Sequence, residues 1–281
     1  EERVKPGREE IPDTTAINKK YRENWWQFGV LVKSLYEKLD NLPWCFIAAR
    51  TTKYLNFTQI QSNIVPVDVY VLTTERWDIF GLFQCSLHES WARKYSSTLK
   101  QDLRYSPSEC VDTFPFPEIL WQTANPVLAD IGKRYHEHRR TLMLQLWLGL
   151  TDIYNLFHTR DLSPERVVKV SKKSLEEAQA GYQGLLELRR LHVELDTAIR
   201  DAYDWQDLDL GHDFHEVETL PENDRVRYTI SPAARKEVLK RLLAENHRRA
   251  AEQTASIATT KPKTKRPRKS NANENQGDLF Q

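Results

Sequence analysis

Between Trp25 and Pro117 the chain reads WWQFG (25–29), CFIAARTTKY (45–54), HESWARKYSSTLK (88–100) and QDLRYSPSECVDTFPFPE (101–118), and these blocks decide the fold class. Ahead of them, Trp25, Phe28, Leu31, Leu35 and Leu39 recur close to helical spacing, so Tyr21–Leu39 is expected to be helical. Pro43 breaks that pattern, and Trp44–Arg50 reads as a strand with a basic tip. Ile64–Leu72 alternates as a second strand, with Pro66 marking an edge or a bulge. Trp77, Phe80, Leu82, Phe83, Leu87, Trp91 and Tyr95 predict one amphipathic helix of about five turns. Leu103–Tyr105 can pair briefly before the Ser106-Pro107 turn, and TFPFPE holds too much proline for either regular element. Helical and strand periods mix within one hundred residues, which makes this region α+β.

Outward from it the pattern changes. Residues 1–20 are polar and read as a linker. Val127–Leu150 and Thr151–Phe157 carry helical patterns, followed by a loop at Asp161–Pro164. Ser174–Tyr203 is a strong helix with Leu185, Leu188, Leu191, Leu195 and Ile199 on one face. Residues 204–224 look irregular, and Arg225–Ile230 suits one strand. Ser231 then serves as N-cap with Pro232 at the first helical position, for a helix to about Arg249. Residues 251–281 lose almost all apolar character and read as a disordered basic tail. The expected organisation is a linker (1–20), a mixed α/β domain (21–118), a mainly helical domain (119–250) and the tail.

Composition narrows the function classes. The 281 residues hold 41 basic and 40 acidic side chains, a formal charge of +1, so affinity for nucleic acid has to come from local segregation of charge. Cys45, Cys85 and Cys110 are widely spaced without a C-x-x-C pair, which suits a reducing, cytoplasmic setting and argues against a zinc site. The longest apolar run, Leu142–Leu150, is too short to span a bilayer.

The order WW…FIAART.KYL.F…W…F.LFQCSLHESWA…LKQDLRYSPS.C..TFPFPE resembles the target recognition domain of MmeI-like, adenine-specific DNA methyltransferases of restriction–modification and phage-defence systems. LHVELDTAIRDAYDWQDLDLGHDFHE and RYTISPAARKEVLKRLLAENHRR resemble the segment that follows that domain. The resemblance implies sequence-specific recognition of double-stranded DNA and S-adenosylmethionine as cofactor of the full enzyme. The catalytic half is not legible in this chain. There is no G-x-G cluster for the cofactor, and Asn125-Pro126-Val127 lacks the second proline and the aromatic of the Asn-Pro-Pro-aromatic loop that receives a flipped adenine. The chain therefore reads as a specificity module whose catalytic domain lies upstream or on another chain, with no catalytic, cofactor or metal residues of its own.

Basic residues beside aromatics recur at Arg50-Thr-Thr-Lys53-Tyr54, Arg93-Lys94-Tyr95 and Lys100-Gln-Asp-Leu-Arg104-Tyr105. By themselves such groups also describe an ordinary solvated surface. With the resemblance, Arg50, Lys53, Arg93, Lys94, Lys100, Asp102 and Arg104 become the expected DNA-contacting residues. Arginine can bond guanine O6 and N7 together, while lysine holds guanine or phosphate. Asp102 would orient an arginine or accept from cytosine N4. Arg50 and Arg104 are the expected base readers, and Lys94 a phosphate contact.

Other patterns carry less. Trp25, Trp26, Trp91 and Tyr95 are expected to pack in the core. His136-Glu-His138 and His212–His215 lack metal spacing, and the basic neighbours Lys133, Arg134, Arg139 and Arg140 suit a helix facing phosphate. Lys261–Lys269 is a cationic run able to add salt-sensitive DNA affinity or merely to solubilise. Gln276–Phe280 resembles the short peptide that docks on bacterial sliding clamps. Two rival functions fit the same residues, a stand-alone DNA-specificity protein and a helical scaffold of a defence complex that binds no DNA.

Overall fold

The structure, a computed structural model, describes residues 10, 12, 15–23, 33–99 and 102–260. Most of the expected linker, the Trp25-Trp26 pair, Lys100, the cationic run Lys261–Lys269 and Gln276–Phe280 lie outside the described residues.

Among the described residues, two short helices, α1 (Ala16–Glu23) and α2 (Lys33–Leu39), precede the strand β1 (Trp44–Ala49). β1 is the middle of an antiparallel sheet, between β3 (Thr58–Gln61) and β4 (Val69–Leu72). Its unbroken apolar run has a cause: both faces are covered. Cys45 and Ile47 turn toward Leu39, Val69 and Val71, whereas Phe46 and Ala48 enter the main core. β4 is an edge strand, as the nearby Pro66 suggests, while β3 was not legible because Thr58-Gln-Ile-Gln is short and mostly polar.

At Arg50 the chain leaves this sheet. The Arg50 N–H donates to Asp68 O and its carbonyl accepts from Tyr105 N, so one residue bonds to both sheets. β2 (Thr51–Thr52) then pairs with β6 (Asp102–Arg104), and β6 with β5 (Ser97–Leu99).

The helix expected over 77–95 is two, α3 (Trp77–Gln84) and α4 (Ser86–Tyr95), because Cys85 is extended at ψ 159°. Its Sγ accepts from His88 N at 3.4 Å, and the buried Asp196 carboxylate accepts from Ser86 N at 2.7 Å. These bonds satisfy amides of the new first turn. After two single-turn helices, α5 (Pro107–Cys110) and α6 (Ile119–Gln122), the long helix α7 (Pro126–Leu146) begins at an Asn125 cap. It ends before Leu150, where Trp147 takes the left-handed conformation at φ 55°.

α7 crosses α3 closely enough that a Cβ on Gly132 would lie 2.4 Å from Trp77 O. α8 (Leu150–Phe157) and α9 (Pro164–Ser171) lead to α10 (Leu175–Ala202), started by the Ser174–Glu177 capping box. A hairpin of β7 (Asp213–Glu216) and β8 (Val226–Thr229) places a strand in the stretch expected to be irregular. The final helix, α11 (Pro232–Thr260), runs past Arg249 and ten residues into the expected tail. One continuous apolar core runs from Phe46 through Trp91, Leu128, Leu188 and Ile230 to Leu242, joining the first half of the chain to the second. No helix among the described residues is long and apolar enough to cross a membrane.

Candidate nucleic-acid interface

The small β2–β6–β5 sheet turns one face outward. Leu103 is buried, so its neighbours Asp102 and Arg104 project to the other side. Thr51, Arg104 and Ser97 form one cross-strand row, all exposed, and Asp102 lies opposite the exposed Leu99 in the next row. Arg50, also exposed, sits at the bend beside them with its guanidinium 5.1 Å from the Tyr70 ring centre. An open cleft of about 610 Å³ adjoins this face, lined by Ala49, Thr51, Lys53, Asp102, Leu150 and Thr151 among others.

The described candidates separate by what already holds them. Arg50, Lys94 and Arg104 are exposed and carry no ion pair among the described residues, and Asp102 is half-buried without one. Lys53 is tied down: its Nζ lies 3.1 Å from Asp224 and 3.0 Å from Asn155 Oδ1. Burial opposes the charge on Asp224, but bonds from Arg227 and Lys53 outweigh it and keep the carboxyl below its usual range. Arg93 is similarly engaged, with Nε on Glu89 at 2.7 Å and a terminal nitrogen on Lys53 O at 3.1 Å. Its side chain is only 10% exposed. The structure brings Arg50, Asp102 and Arg104 together on one outer face. It gives Lys53 and Arg93 to the seam between α4 and the later hairpin.

Arg139 was not singled out as a partner of the first region, although spacing could have shown it. It falls on the buried stripe of α7 with Leu128, Ile131, Tyr135, Leu142 and Leu146. At 1% exposure its guanidinium donates to Gln84 Oε1 (3.0 Å), Tyr154 OH (3.1 Å) and the Phe57 carbonyl. The expectation of a phosphate-facing helix is therefore corrected at this position: Arg139 points inward, and Arg134 is paired with Asp130 and Glu194. His136 is buried and accepts from Gln59 N at 3.2 Å, while His138 bonds Gly184 O at 2.8 Å.

Two arrangements resemble catalytic ones in outline but differ in geometry. Ser86 Oγ lies 2.9 Å from His192 Nε2, and Asp196 approaches that same nitrogen at 3.5 Å rather than the far side of the ring. A nucleophile–base–acid relay needs the acid on the other nitrogen. All three are buried, and the set straps α4 to α10. Asn125-Pro126, the nearest approach to a methyl-transfer loop, is a helix cap whose side chain accepts from Val127 N and Leu128 N.

Comparison with known proteins finds similarity over the segment that holds this face. A family model described as the MmeI target recognition domain matches residues 2–118. DNA methyltransferase A of Bacillus subtilis (strain 168) is 30% identical over 133 residues, which is 42% of this chain and 14% of that protein. A solved Type IIL restriction–modification enzyme, MmeI in complex with DNA, is similar at 17% identity and a TM-score of 0.44, over 73% of this chain and 23% of that one. The chain thus spans well under half the length of either protein. The matched residues 2–118 include the β2–β6–β5 face, so this part of the chain is similar to the MmeI target recognition domain.

Proposed function

We propose that this chain is the sequence-specific double-stranded DNA recognition module of a site-specific adenine-N6 methyltransferase. The observation that carries the reading is the outer face of β2–β6–β5, where Arg104 and Arg50 are exposed and carry no ion pair among the described residues. The major groove admits a two-stranded β-ribbon such as the β5–β6 pair, and an exposed guanidinium there can take guanine O6 and N7 together. Asp102, two residues from Arg104 on the same face, either orients that guanidinium or accepts from cytosine N4. Lys94 supplies a phosphate contact that sets register without reading sequence. Lys53 and Arg93 hold the face to its support.

The same reading assigns residues 21–118 to recognition and 119–250 to a helical support. It puts the methyl donor, S-adenosylmethionine, on a catalytic domain elsewhere in the full cytoplasmic enzyme. Selection of bound sites from a random duplex library by the purified chain tests it. A single enriched motif is expected, with affinity falling as salt rises. Retention of no motif above competitor DNA would refute the reading and favour the scaffold alternative.

A further inference from the structure

Between α4, the β7–β8 hairpin and α11 lies a cavity of about 70 Å³, several times the ~10–15 Å³ that one water needs. Four cationic side chains line it: Arg93 and Lys94 from α4, Arg227 from β8 and Arg235 from α11. Glu89 is the one carboxylate among its lining residues. That carboxylate is already bonded by Arg93 Nε at 2.7 Å.

The remaining cations are poorly matched. Arg227 is 5% exposed and directs its terminal nitrogens to Asp224, leaving a buried Nε–H with no acceptor. Among the described residues Arg235 reaches main-chain oxygens, Ile230 O at 3.2 Å and Glu216 O at 3.5 Å. Lys94 has no ion pair among the described residues. His158 adds a neutral donor to the same wall: its Nδ1 accepts from Tyr228 N at 3.1 Å, which leaves the ring proton on Nε2. Burial first, then the surrounding arginines, keeps this imidazole uncharged. With Glu89 on Arg93 and Asp224 on Arg227, Arg235 and Lys94 remain without a carboxylate partner among the described residues, and a further anion would balance them.

We propose that this cavity is a binding site for a phosphate-class oxyanion, held by Arg227, Arg235 and Lys94 and linking the recognition segment to the C-terminal hairpin and helix. The site shares Lys94 with the proposed DNA phosphate contact but neither of the proposed base readers, Arg50 and Arg104, and Arg227 and Arg235 belong to it alone.

Titration calorimetry of the whole chain with inorganic phosphate, against sodium chloride of equal ionic strength, tests it. One phosphate per chain is expected. Arg235→Gln should weaken it roughly tenfold or more, the loss of a charge-assisted bond. Glu89→Gln should tighten it, because the competing carboxylate is gone. Should Arg235→Gln fail to fold, Lys94→Gln at the exposed rim carries the same expectation of weaker binding. A short duplex added to the phosphate-loaded chain separates the sources: displacement identifies a DNA backbone phosphate, and retention a free ion. Absence of binding above the chloride control, or equal binding by wild type and every folded variant, would overturn the proposal.

Discussion

Arg104→Ala should relax sequence preference at one base pair while leaving the fold intact. Arg104 stands on the middle strand of an exposed ladder, between Thr51 and Ser97, and has no ion pair among the described residues. Truncation therefore removes no described ion pair or side-chain hydrogen bond, and stability should change by less than about 0.5 kcal/mol. A bidentate arginine–guanine pair contributes about 1–3 kcal/mol of discrimination, or roughly 5- to 150-fold between the right base and the wrong one. Lys53→Ala should behave in the opposite way. Its 3.1 Å pair with Asp224 is partly solvated, 36% and 26% exposed, so its loss costs at most about 1 kcal/mol, or 2–4 °C in Tm. Base preference should survive, because a phosphate or base would have to displace Asp224 to reach that ammonium. Site profiles from a randomised duplex library, read beside thermal melts, distinguish the two. A Lys53→Ala chain that loses preference, with Arg104→Ala keeping it, would refute the division of the cations into readers and ties.

Other perturbations probe the scaffold. Arg139→Met should destabilise by about 2–4 kcal/mol, since Phe57 O, Gln84 Oε1 and Tyr154 OH lose a buried donor, partly offset by removal of an uncompensated charge. Denaturant titration checks this, and an unchanged midpoint would mean the site is hydrated. Gly132→Ala should cost at least about 1–3 kcal/mol, because its Cβ would meet Trp77 O at 2.4 Å and neither backbone can retreat; a neutral melt would contradict the close crossing of α3 and α7. Stability should fall as pH drops below about 6.5. Burial holds His88 down to about 3, and burial with Arg139 holds His136 down to about 4, so the unfolded chain takes up protons the folded one refuses. Between pH 6.5 and 4, His88→Gln should flatten the slope of stability against pH by about one proton; an identical slope would show that His88 titrates in the fold.

How much of this was legible depended on the range of the interaction. β1, β6, the Ser231 start of α11 and the α10 face follow from local pattern and capping chemistry, and the family resemblance pointed to the segment carrying Arg50 and Arg104. The break at Cys85 did not, because cysteine is an unusual cap and the second acceptor, Asp196, comes from over a hundred residues away. For the same reason sequence alone could not separate Lys53 from Arg104. Both are basic residues near short strands, but the partners of Lys53 are Asn155 and Asp224, which only the tertiary fold brings to it. Arg139 is an intermediate case: the helical period places it on the buried stripe, and its charge obscures the signal.

The proposed reading face is also not autonomous. Leu103 and Tyr105, on either side of Arg104, are 2% and 1% exposed, and their burial fixes the direction in which Arg104 projects. Tyr105 in turn donates its N–H to Arg50 O and packs edge-on to Phe57, with its hydroxyl 2.9 Å from His88 Nε2. The Phe57 carbonyl is held by Arg139 of α7 and its N–H by Gln84. A short chain of packed and bonded groups therefore runs from the exposed guanidinium into the helices beyond residue 118. In the proposed reading Arg104 supplies the donors, and their aim is set by side chains on helices that hold none of the proposed readers. Loosening Arg139 should accordingly blur base discrimination as well as lower stability, whereas removing Lys94 should weaken every site alike.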